Sequence, residues 1–99
     1  MPSSPVSAFL DRLTLALAED RVGVSDDARD RAHAEFGWGL PEIMELLYLL
    51  DEGDFSETMP SAAPEGGVIW VFLPDSGQGR LWLRLCERGV VVVVSLHRG

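Results

Sequence analysis

Arg80-Leu81-Trp82-Leu83-Arg84-Leu85 decides how this chain folds. In a strand, successive side chains point to opposite faces of the sheet. Leu81, Leu83 and Leu85 therefore face a core, and Arg80, Trp82 and Arg84 face away from it. Two cations flanking an outward aromatic side chain suit the grip of an anion or a stacked base.

Working outward, Glu87-Arg88-Gly89 turns this strand into the next, at 90–96, which carries five consecutive valines. A run of that kind predicts a strand covered on both faces. A two-residue loop at Arg88-Gly89 pairs Cys86 with Val91, Trp82 with Ser95 and Arg80 with His97. A four-residue loop preserves that pairing, whereas a three-residue loop shifts it by one and flips the partner faces. The even register stacks Leu81, Leu83 and Leu85 against Leu96, Val94 and Val92. Arg80, Trp82, Arg84, Ser95 and His97 then share the other face.

Upstream, 68–73 reads as a strand, joined to 80–86 through Asp75-Ser76-Gly77-Gln78-Gly79. Met59-Pro60, Pro64 and Gly66-Gly67 mark 56–67 as loop. Before it the apolar period becomes helical. Val6, Phe9, Leu10, Leu13 and Leu17 predict an amphipathic helix over 5–20. Ser25-Asp26-Asp27 caps a second, which ends at Gly37 and buries Ala28, Ala32 and Phe36. Pro41 and Glu42 start a third, closed by Gly53. Ile43, Met44, Leu46, Leu47, Leu49 and Leu50 cover most of its circumference, so it is the most buried helix expected. The order, helices first and a meander last, predicts one α+β domain over 1–99, with N-terminal helices packed on a C-terminal antiparallel β-sheet.

Composition bounds the function. Apolar residues form 46% of the 99, enough for one modest core. No apolar run approaches the ~20 residues that cross a bilayer, so no membrane partner is expected. Met1-Pro2-Ser3-Ser4-Pro5 lacks the basic start and apolar stretch of a signal peptide, and a cytoplasmic location follows. The single Cys86 forms no internal disulfide and supports no zinc site. The acidic run Asp51-Glu52-Gly53-Asp54 lacks the spacing of a calcium loop, and Ser76-Gly77-Gln78-Gly79 lacks a lysine and a following helix. No metal and no cofactor is expected. The net charge of −8 is uneven: residues 1–79 carry 4 Arg against 15 Asp and Glu, and residues 80–99 carry 4 Arg against a single Glu. Tight non-specific binding of nucleic acid is excluded by that total, DNA included. A local basic contact at the C-terminal end remains.

Three ordered stretches carry a family resemblance. The first joins Ala34-Glu35-Phe36-Gly37, the buried helix and Asp54-Phe55-Ser56-Glu57-Thr58-Met59; the second is Ile69-Trp70. The third runs from Leu81-Trp82-Leu83-Arg84-Leu85 to Val92-Val93-Val94-Ser95-Leu96-His97. Together they resemble the MqsR family of toxin–antitoxin ribonuclease toxins, which implies a RelE-like fold, messenger-RNA cleavage without metal, and a cognate antitoxin as partner. The family's site lysine falls on Glu57, its glutamine on Val71 or a gap, its tyrosine on Trp82 and its C-terminal basic residue on His97. Trp82 stacks but has no ionisable hydroxyl, and His97 is an acid or base near neutral pH. Metal-free RNA cleavage needs a base, an acid and cations for the phosphate, roles open here to His97 and Glu57 as a titrating pair and to Arg80 and Arg84 as a phosphate clamp, with Trp82 as a base platform. The charge reversal at Glu57 and the absence of lysine set a second reading beside it, a non-catalytic protein-binding module on a toxin-type fold.

Overall fold

The computed structural model describes residues 4–62, 66–75, 77 and 79–98. Residues 1–3, Pro64 of the expected loop, and Ser76 and Gln78 of the expected turn lie outside them. Three helices, α1 (Pro5–Ala18), α2 (Asp26–Phe36) and α3 (Leu40–Tyr48), pack on one face of a five-stranded sheet. Its strands are β1 (Val22–Val24), β2 (Phe55–Pro60), β3 (Val68–Phe72), β4 (Leu81–Arg88) and β5 (Val90–Arg98), in the order β1-β5-β4-β3-β2. The α+β architecture is the one expected. The sheet is mixed, however, because β1 runs parallel to β5 while the other neighbours are antiparallel.

Local chemistry sets the helix ends. Ser4 accepts a hydrogen bond from the Ser7 amide (3.0 Å) and Pro5 follows it at the first helical position. Ser25 does the same for α2 through the Ala28 amide (3.1 Å), and Gly37 ends that helix at φ 70°, where a Cβ would be strained. α3 stops at Tyr48, short of Gly53. The reason lies in two carboxylates that compete for backbone donors. Asp51 accepts from the Gly53 amide (2.8 Å) and Asp54 from the Asp51 amide (3.1 Å), drawing the chain into a short 3₁₀ turn at Glu52–Asp54. Ile43, Leu46, Leu47 and Leu50 are buried, but Leu49, expected inside, is 70% exposed.

The core lies between the helices and the inner face of the sheet. Phe9 stacks on Trp70 with ring centroids 4.4 Å apart and lies beside Phe72. Leu81, Leu83 and Leu85 all face this layer and are fully buried, as their alternation requires. Two strands escaped the sequence. β1 is three residues long, too short to show a period, and β2 occupies part of the stretch read as loop. β2 is an edge strand, which is where Pro60 is tolerated. Among the described residues, no helix is long and apolar enough to cross a membrane.

The β4–β5 hairpin corrects the expected register. Near the turn, Glu87 pairs with Val91, Cys86 with Val92 and Leu85 with Val93, around Gly89 at φ 79°. That is the odd register. A bulge between Arg84 and Leu85 then inserts one extra β5 residue, so that Arg84 pairs with Ser95, Leu83 with Leu96 and Trp82 with His97. Val91 and Val93 therefore join Leu96 in the core, and Val92 and Val94 turn to the outer face. The bulge adds a second one-residue shift, which restores the expected faces but leaves Trp82 opposite His97 where Ser95 was expected.

A candidate nucleic-acid interface on the outer sheet face

The face away from the helices is built in rows across the strands. One row reads Met59, Ile69, Cys86 and Val92, from β2 to β5, and the next reads Glu57, Val71, Arg84 and Ser95. Trp82 and His97 form a third on β4 and β5. Trp82, Arg84, Ser95 and His97 thus share one face, each half-buried. Directly opposed residues on antiparallel strands stand about 4.5–5.5 Å apart, close enough for rings to align. The Trp82 and His97 rings do so, with centroids 6.3 Å apart and planes within 10° of parallel.

His97 is held in one tautomer. Its Nδ1 lies 2.9 Å from the Arg98 carbonyl oxygen, which can only accept, so Nδ1 carries the proton and the neutral ring keeps a lone pair on Nε2. The strand end beneath it is anchored. The Arg98 amide donates to Glu35 (3.1 Å), its guanidinium donates to the Glu35 carbonyl (3.2 Å), and that guanidinium lies over the Phe36 ring (5.3 Å).

The two flanking arginines differ in their duties. Arg80 is exposed and donates from Nη1 to the Leu73 carbonyl (3.0 Å), bracing the turn between β3 and β4. Arg84 takes no part in the ion pairs found among the described residues, and its buried Nε has no hydrogen-bond partner. Beside it, between Glu57 and Arg84 in the same row, Val71 is fully buried. Glu57 is exposed on edge strand β2, three strand spacings from β5. At about 4.8 Å per spacing, the two backbones lie roughly 14 Å apart. The structure gathers Trp82, Arg84 and His97, sets Arg80 at the adjoining turn, and leaves Glu57 at the far edge.

Sequence reasoning missed the apolar half of the same face. Ile69, Cys86, Val92 and Val94 line an open groove of about 340 Å³. The valine run signalled apolar side chains on both faces of β5, but only the inner one is covered by helices. No group of His, Cys, Asp and Glu among the described residues is arranged to hold a metal ion. No protein-family model and no curated protein matches this chain.

Proposed function

We propose that the protein binds single-stranded RNA through the outer face of its C-terminal hairpin and acts as an MqsR-like, RNA-targeting toxin whose partner is a cognate antitoxin. The observation that carries this reading is the convergence of Trp82, His97 and an ion-pair-free Arg84 on a sheet face that no helix covers. An aromatic platform beside a cation is the arrangement single strands require, since every base offers a π-face and every linkage a charge. The toxin and antitoxin parts of the reading come from the ordered sequence stretches that resemble the MqsR family.

The tautomer of His97 defines the chemistry available. Its free Nε2 is the atom able to take the proton from a ribose 2′-hydroxyl, whose oxygen then bonds to phosphorus as the bond to the 5′ oxygen breaks. The leaving 5′ oxygen takes a proton from water, and Arg84 offsets charge on the phosphoryl oxygens. Glu57, far across the sheet, is not the partner acid in this scheme. It acts as a repulsive rim group.

A second reading rests on the adjoining groove of Ile69, Cys86, Val92 and Val94, an uncovered apolar surface of the kind that docks proteins. Purified protein and a labelled single-stranded RNA separate the two. The RNA reading expects binding at low salt that Arg84→Ala weakens and Glu57→Lys strengthens, with any cleavage lost in His97→Ala by about 10²–10⁴-fold. Absence of RNA binding in the unaltered protein at low salt would leave the protein-docking reading in its place.

A further inference from the structure

We infer that the outward face of α3 docks a basic amphipathic helix of a partner protein, one of whose cations enters a cleft beside Trp38. The inference is independent of RNA binding, because α3 lies on the opposite side of the sheet from the outer face of the hairpin. Helical spacing puts Glu42, Glu45 and Leu49 on one stripe at i, i+3 and i+7, and Trp38 continues it ahead of the helix start. Leu49 is largely exposed on this stripe, at the end of a helix whose other side is core. Leu46 and Trp38 line a cleft of about 220 Å³, which Asp75, from the connection between β3 and β4, closes on one side.

The indole and the carboxylates of Glu42, Glu45 and Asp75 make this cleft complementary to an organic cation. None of the three acids takes part in the ion pairs found among the described residues. Asp75 is steadied by the Gly77 amide (2.9 Å). Trp38 is fixed by its ring contact with Phe36, centroids 4.8 Å apart, and by its amide, which donates to the Ala32 carbonyl (3.2 Å). Arg80, whose backbone pairs with that of Asp75, sends its guanidinium to the Leu73 carbonyl instead. Leu49 extends the surface beyond the acids with an apolar contact, which the apolar stripe of a helix covers and a small free cation does not. A second copy of this chain does not supply that helix: α1 carries one Arg and one Asp, α2 two Arg against four Asp and Glu, and α3 no Arg or Lys. The occupant is therefore another protein, with basic residues bordering its apolar stripe.

The test uses the full chain and a labelled synthetic peptide of about 18 residues, helical, with leucines along one face and arginines on its borders. Docking expects binding at physiological salt and a shift of the Trp38 indole N–H resonance, with those of Trp70 and Trp82 unmoved. Neutralising Glu42→Gln and Glu45→Gln together should weaken binding about 2- to 30-fold, and Leu49→Lys by about tenfold or more. Both changes lie on the surface and leave the core untouched. Two matched controls should keep wild-type affinity: Asp11→Asn with Asp20→Asn, which removes the same charge elsewhere, and Leu15→Lys on the exposed side of α1. An isomeric peptide with its leucines spread around the helix should bind about tenfold more weakly. Equal losses in the controls and the α3 variants would reduce the attraction to overall charge and overturn the inference. A shift of Trp82 in place of Trp38, or no binding of the amphipathic peptide, overturns it as well.

Discussion

Arg12 and Glu87 meet across the boundary between α1 and β4 through two hydrogen bonds, Nε to Oε2 at 2.6 Å and Nη2 to Oε1 at 2.9 Å. The same guanidinium lies 5.9 Å from the Phe9 ring. This fork-to-fork geometry belongs to arginine and not to lysine. The hydrogen bond that Arg12 donates to Glu87, aided by the carboxylate's charge, holds the Arg12 guanidinium pKa above its ordinary value. A raised pKa of this kind contributes stability that is fully present below the unfolded value and is lost only as pH climbs through the folded one, in strong alkali. Arg12 therefore adds no pH dependence to stability near neutrality. Half the Arg12 side chain is exposed, which keeps the pair in the range of surface ion pairs. Arg12→Ala should cost at most about 1 kcal/mol in urea unfolding, Arg12→Lys should recover less than half of it, and high salt should shrink the difference. A cost unaffected by salt would assign the residue's value to its packing on Phe9.

Ser25 links two elements that the sequence presents as unrelated, the start of α2 and the bulge in β5. Its hydroxyl oxygen accepts from the Ala28 amide and its hydrogen points to the Val94 carbonyl (3.3 Å), while its own amide donates to the Val93 carbonyl (2.8 Å). Val94 is the residue the bulge leaves without a partner on β4. Ser25→Ala should cost about 1–2 kcal/mol, at the upper end for a lost cap, because a carbonyl loses its donor as well. Ser25→Asp separates the two roles: the carboxylate still caps the helix but only accepts, so it should fall well short of wild-type stability. Equal stability of Ser25→Asp and wild type would make the cap the whole effect. This coupling also explains what the sequence could and could not reveal. The start of α2 and its glycine stop were legible because capping is local, and β3 to β5 were legible through period-two alternation. β1 and β2 were not, since three residues show no period and β2 gains its extended form by pairing with β3. The phase of β5 was illegible for a plainer reason: five identical valines look the same in every register. For that reason Trp82, Arg84 and His97 were correctly put on one face, but with Ser95 assigned the partner position that His97 occupies.

Across the whole molecule, the charge is polarised along the chain, with most carboxylates before residue 80 and half of the arginines from residue 80 onward. An acidic body repels an RNA backbone that strays beyond the hairpin, so few phosphates can be neutralised at once. Single strands lose affinity with a log–log salt slope of about 0.7 per phosphate contact, and one or two contacts predict a slope between about −0.7 and −1.4. Titration of a hexanucleotide at several salt concentrations measures it; a slope several times steeper would require a basic surface that the outer face does not offer. The strand order carries a further consequence. β5 follows every other described strand in sequence, yet it lies between β1 and β4 and joins the two halves of the sheet. A nascent chain emerges with α1, α2 and β1 complete but with part of their floor still to be translated. Phe9, Leu13, Ala28 and Ala32 then have no finished surface to close against. Non-local pairing of this kind delays collapse into the native state and prolongs the exposure of apolar side chains. Val90–Arg98 is thus the keystone of folding: until those residues are made, the two halves of the sheet cannot join, and once they pair, the outer face of the hairpin arises together with the fold.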